Sequence, residues 1–130
     1  MERRLLQAAI ALACIVPLSG GLWGIIEGAG MLGQGGDVTL DSHVRYLSGL
    51  LLGIGLAFLS VIPNVESHGG RSSLLSAIVV TGGLSRLYGV WNDGWPAPAM
   101  QAALAMELGV VPILYLWQRR VARLRSPAPG

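Results

Sequence analysis

Charge is what this sequence has least of. Only 12% of its 130 residues are charged and 52% are hydrophobic, with a mean hydropathy of +0.58. A soluble domain of this length could not cover so much apolar surface with so few charges. Cysteine is almost absent too: Cys14 stands alone, which excludes an intrachain disulfide or a cysteine-based metal cluster. Lysine is missing, so all nine basic residues are arginines. There is no low-complexity tract and no internal repeat, and without inverted repeats or broken helices a transporter would have to be an oligomer. Neither Ser48 nor Ser85 has a Ser–His–Asp context. A phosphate loop is lacking, because "GLLLGIGL" is a packing stripe rather than a strand-to-helix turn. No metal site is expected: Asp37, Asp41 and His43 match no ligand spacing, and His43 and His68 fall on opposite sides of the membrane in the topology below.

What is present is four apolar stretches, Leu5–Glu27, Val44–Pro63, Ser72–Trp91 and Ala99–Trp117. Each is near the twenty or so residues that about 30 Å of hydrocarbon requires. Between them lie "GQGGDVTLDSH", "NVESHGG" and "NDGWPAP", rich in turn-forming residues. The N-terminal "MERRLLQAAIALACIVPLSGG" starts like a signal peptide, but its apolar run continues to Ile26 as a spanning helix does. Arg3, Arg4, Arg71, Arg119, Arg120, Arg123 and Arg125 share one side of a four-span topology, which makes both termini cytoplasmic by the positive-inside rule. The expectation is therefore an all-α transmembrane four-helix bundle, one domain over residues 1–130. It would be a multi-pass protein whose first partner is the lipid bilayer. "RRVARLR" reads as an anchor at anionic headgroups, and no aromatic interleaving or fold motif supports nucleic-acid binding.

Lipid tails provide no hydrophobic drive between helices, so close packing depends on small residues. Gly20, Gly24 and Gly28 recur at helical spacing in the first helix, and Gly49, Gly53 and Ala57 in the second. The third carries Ser73, Ala77, Thr81, Ser85 and Gly89, the fourth Ala105 and Gly109. Intramolecular packing is the expected use, with homo-oligomerisation through a leftover stripe as the sharper alternative. Pro17 and Pro112 are expected to bend the first and fourth helices.

Arg86 lies about 7 to 8 Å inside Trp91, and Glu107 about 12 Å inside Ala99, at 1.5 Å per residue. The two depths match within an arginine's reach. Each charge would cost roughly 2.5 to 3.5 kcal/mol at a helix centre, so mutual pairing is the natural relief. Gly82, Gly83 and Gly89, three or four positions from Arg86, leave space around its stem. Glu27 has Gly24 and Gly30 beside it, and Arg45 has Ser48 and Gly49. With His43, Tyr46, Tyr88, Asn92 and Asp93 these charges make an outer-half polar cluster. Arg86, Glu107, Glu27, Arg45, His43, Tyr88 and Asp93 are the candidate ligand-binding residues. They form either a structural clamp with a polar fringe or a pocket for a polar head whose tail lies along the helices.

Three stretches, "HVRYLSGLLLGIGL", "GGLSRLYGVWNDGWP" and "ELGVVPILYLW", together resemble a bacterial membrane family, domain-of-unknown-function family 4345, over most of the chain. The resemblance implies a small four-helix protein of the bacterial inner membrane. His43, Arg45, Gly49, Arg86, Asp93, Glu107 and Pro112 are on positions similar to the family's pattern, and no activity comes with it. A looser likeness is to the haem-using membrane epoxide isomerases of the styrene oxide isomerase type, carried by helix count, His43 and Tyr88. Two functions from different classes follow. One is a non-enzymatic module that binds a lipid-like small molecule or a partner protein. The other is a small membrane enzyme of isomerase type, in which Glu107 or Glu27 exchanges a proton and Arg86 stabilises negative charge.

Overall fold

A computed structural model describes residues 1–126, and among them every regular element is helical. Helix α1 is Glu2–Glu27, α2 Val38–Leu59, α3 Gly69–Asp93, α4 Pro98–Ala105 and α5 Val111–Arg125. Short 3₁₀ turns follow α1 (Gly28–Leu32) and α2 (Ile62–Asn64). A π turn, Met106–Val110, joins α4 to α5. Four segments are long and apolar enough to cross a membrane: Glu2–Leu32, Val38–Asn64, Gly69–Asp93 and Pro98–Arg125. At most 22% of the most apolar window in any of them is buried within the protein. Leu12, Ile26, Leu74 and Ile113 are exposed with many others. Such a surface is compatible with hydrocarbon, as membrane-length apolar helices require.

The helix boundaries follow local chemistry more than hydropathy. Helix α2 begins six residues before the expected Val44, because the Asp37 side chain accepts the backbone N–H groups of Thr39 (2.9 Å) and Leu40 (3.3 Å). That cap satisfies orphan donors and lets the polar "TLDSH" segment join the helix. Helix α3 stops at Gly94, whose φ of 92° no ordinary side chain favours. Helix α5 runs past the expected Trp117 to Arg125, with Arg123 and Arg125 in the last turn where the helix dipole favours cations. Pro17 leaves α1 unbroken. At Pro112 the response is a change of register: the Val111 N–H reaches the Met106 carbonyl, five residues back. Proline cannot donate to the Leu108 carbonyl and its ring crowds it, which favours a wider turn just ahead.

The helices fall into two compact units, Ala8–Ile62 and Met1–Gln7 with the chain from Pro63 onward. In the first, α1 and α2 run antiparallel. A Cβ on Gly24 would fall on the Ser48 hydroxyl, and one on Gly21 would lie 2.7 Å from the Leu52 nitrogen. The contact stripe is thus Gly21 and Gly24 of α1 with Gly28 of the turn that follows, and Gly21 stands where Gly20 was expected. On α2 the buried small residues are Ser48 and Gly55, whereas Gly49 and Gly53 face open space.

In the second unit α3 runs antiparallel to α4 and α5. Its buried face is Ser72, Leu75, Ser76 and Gly83. The expected stripe is displaced outward: Ser73, Ala77, Thr81 and Ser85 are all exposed. Thr81 and Ser85 return their hydroxyls to carbonyls four residues back. The N-terminal residues join this unit through ion pairs. Arg3 Nε donates to Glu66 at 2.9 Å, and Glu2 accepts from Arg120 Nε at 2.8 Å and Trp117 Nε1 at 3.2 Å. The N-terminus, the α2–α3 connection and the end of α5 therefore lie at one end of the unit.

Candidate functional site

Arg86 meets Glu107 through a two-pronged contact. Nε donates to one carboxylate oxygen and Nη2 to the other, both at 3.2 Å. Such a fork fixes orientation as well as charge. Gly83, one turn earlier on α3, makes it reachable. A Cβ there would lie 2.9 Å from Glu107 Cβ and 2.8 Å from a Leu108 methyl, so the absence of a side chain sets how closely α3 approaches the π turn. Gly82, expected to help, faces open space, as does Gly89. Glu107 itself lies inside the π turn, a local geometry that recurs at functional positions in helices.

The fork does not use the whole guanidinium. Nη1 donates to the thioether sulfur of Met100 at 3.2 Å, and sulfur of this kind is a weak acceptor. The Arg86 side chain stays 33% exposed and that of Glu107 18%. The pair is neither sealed nor open: one edge of a paired cation is left with a soft partner in an apolar setting.

Arg45 is engaged in the other unit, in a different manner. Its Nε donates to Asp41 at 2.7 Å, one helical turn earlier, and its Nη1 donates to the carbonyls of Ile25 and, at 3.1 Å, Ile26. Asp41 in turn accepts the Ala29 backbone N–H at 3.0 Å. Between them lies Gly28, φ 57°, where a Cβ would collide with the Asp41 carboxylate. The Asp41–Arg45 pair thus closes the C-terminus of α1, supplying donors to its last carbonyls and a cation to its negative end.

The remaining candidates are less engaged. Glu27 and His43 are exposed, as are Tyr88 and Asp93 on α3. Asp93 is seven residues beyond Arg86 and shares its helix face, about 10 Å along the axis, whereas Tyr88 is turned about 200° away. Arg86, Tyr88, Asp93 and Glu107 belong to one unit and Glu27, His43 and Arg45 to the other. Sequence reasoning missed Met100 and Asp41. The (i, i+4) spacing of Asp41 and Arg45 was the signal for the second; nothing in the linear pattern marks the first. Among the described residues no group of three or more His, Cys, Asp or Glu could hold a metal ion.

A family model described as Domain of unknown function (DUF4345) matches residues 5–118. No curated protein and no solved structure matches.

Proposed function

The chain belongs to the family Domain of unknown function (DUF4345), which brings kinship without an activity, and from that premise we propose a membrane-embedded binding protein. In this reading Arg86, oriented by Glu107, holds the polar head of an anionic amphipathic small molecule, and the apolar helix faces hold its tail. The observation that carries it is the unequal use of the guanidinium: two nitrogens on a carboxylate and the third on a thioether. An incoming carboxylate, phosphate or carbonyl oxygen displaces the sulfur and gains a charge-assisted hydrogen bond. Away from water that bond is stronger than at a solvated surface. Asp93, on the same face of α3, would stand at the mouth. The arginine asymmetry further supports cytoplasmic termini.

The test is native mass spectrometry of the protein extracted gently from its own membrane, beside the double variant Arg86→Gln/Glu107→Gln. That variant keeps two hydrogen-bonding side chains in place and removes both charges. The expected result is a co-purifying anionic amphiphile on the wild type that is lost from the folded double variant. A wild type without such an adduct, or a variant that keeps it, overturns the reading.

A further inference from the structure

Of the four methionines, Met100 is the one, among the described residues, whose sulfur accepts a hydrogen bond, and its donor is Arg86 Nη1 at 3.2 Å. It is the third residue of α4, about 3 Å along the axis from the start of that helix at Pro98. The connection just before it carries Trp95 and Ala97, both exposed, and Met100 itself is only partly buried. The thioether therefore lies near the end of its span, where a small water-borne molecule arrives without crossing hydrocarbon. Met106 and Glu107 are about 10 Å further along the same span.

Methionine sulfur is readily and reversibly converted to the sulfoxide by two-electron oxidants. At this position the conversion changes what Arg86 can hold. A thioether is a weak acceptor, whereas the sulfoxide is a polar group with an oxygen that accepts strongly from a cation. The methionine side chain has three rotatable bonds, so the new oxygen turns onto the same Nη1 without a shift of the α4 backbone. Each nitrogen of the guanidinium then faces an oxygen acceptor, two from Glu107 and one from Met100. The weak contact that a ligand oxygen would displace is gone.

We propose that Met100 is an oxidation site that closes the Arg86 centre: a peroxide converts its thioether to the sulfoxide, whose oxygen takes Nη1 in place of the ligand's head. The proposal rests on the binding role given to Arg86 above. In the step, a sulfur lone pair attacks one peroxide oxygen, and an S–O bond forms as the O–O bond breaks. With hydrogen peroxide, the proton on the transferred oxygen passes to the departing hydroxide, which leaves as water. Sulfur loses two electrons and the peroxide gains them.

The experiment treats the full-length protein in non-ionic micelles with hydrogen peroxide and reads peptide masses for oxidation. Native mass spectrometry then counts two retained anionic probes, oleate and dodecyl phosphate. Met100 should gain one oxygen before Met106, and retention should fall about tenfold, the scale of one hydrogen bond to a charged group. A methionine sulfoxide reductase should reverse both changes. Met100→Gln, which offers an amide oxygen in place of the sulfur, should lower retention about tenfold without any oxidant. Met100→Leu should retain the probes equally before and after peroxide. Untreated wild type that holds neither probe overturns the binding role of Arg86, and the oxidation switch with it. Three other results overturn the switch and leave that role standing: retention that survives full conversion of Met100 to sulfoxide, Met100 that stays unoxidised while Met106 converts, or retention by Met100→Leu that falls on peroxide treatment.

Discussion

At position 86 an arginine stands among apolar neighbours because a carboxylate on the facing helix shares the cost. Unpaired, either charge would be an expense of roughly 2.5 to 3.5 kcal/mol at the centre of a span, and each is the other's only counter-ion in the ion pairs of the described residues. Removing one partner leaves the other stranded, so Arg86→Glu or Glu107→Arg alone should destabilise the protein by about 3 to 5 kcal/mol. The double reversal should recover more than half of that loss in denaturation followed in detergent. If the double variant is as unstable as the worse single one, the pair does not act as a clamp. This contact was legible in the sequence because depth along a helix is arithmetic. Met100 was not, because its approach to Nη1 depends on the rotation of α4, which residue spacing does not specify.

Among the elements, rotation is where pattern and packing part company. Small residues at four-residue spacing marked the contact faces of α1 and α3 only approximately, since a helix of 3.6 residues per turn offers two or three adjacent small-residue stripes. Packing selects the stripe that also buries Leu75 and brings Arg86 to Glu107, and so Gly83 is enclosed while Gly82 is open. The contrast is measurable. Gly83→Ala should destabilise by about 1 to 3 kcal/mol through overpacking against Leu108 and Glu107. Gly82→Ala, one residue away, should be neutral or stabilise by up to about 1 kcal/mol through helix propensity. Equal effects at both positions would place the α3 contact face elsewhere. Boundaries tell a similar story: hydropathy located the apolar middle of α2, but its true start is set by a single aspartate whose cap an apolar-run search passes over.

For the molecule as a whole, the ends are tied by charge over long sequence distances. Arg3 reaches Glu66, and its Nη2 donates to the Pro63 carbonyl at 2.7 Å. The Arg3 guanidinium, followed by a backbone hydrogen bond, holds the Glu66 carboxyl below its ordinary value of 4.5. A carboxylate whose pKa is depressed by folding contributes stability that is present above the unfolded value and is lost as pH falls through the folded one. Wild type should therefore exceed Glu66→Gln in melting temperature at neutral pH, and the gap should close in acid below that ordinary value. A gap that persists unchanged into acid would mean that Glu66 acts through packing and not through its charge. Both partners are partly exposed, so the effect is modest and falls with added salt.

Composition and hydropathy alone determined the class of this protein: all-α, with four membrane-length helices, because crossing a bilayer depends on transfer free energy summed along the chain, a one-dimensional quantity. The spacing of Arg86 and Glu107 relative to their helix ends was enough to pair them for the same reason. Tertiary structure decided the rest: which glycine of each stripe is enclosed, that Arg45 closes the end of α1 through Asp41, and that Gln118 is buried with an acceptor unmade. Each of these depends on how a helix is rotated against its neighbour. Packing of side chains fixes that rotation, and several rotations are compatible with the same sequence pattern.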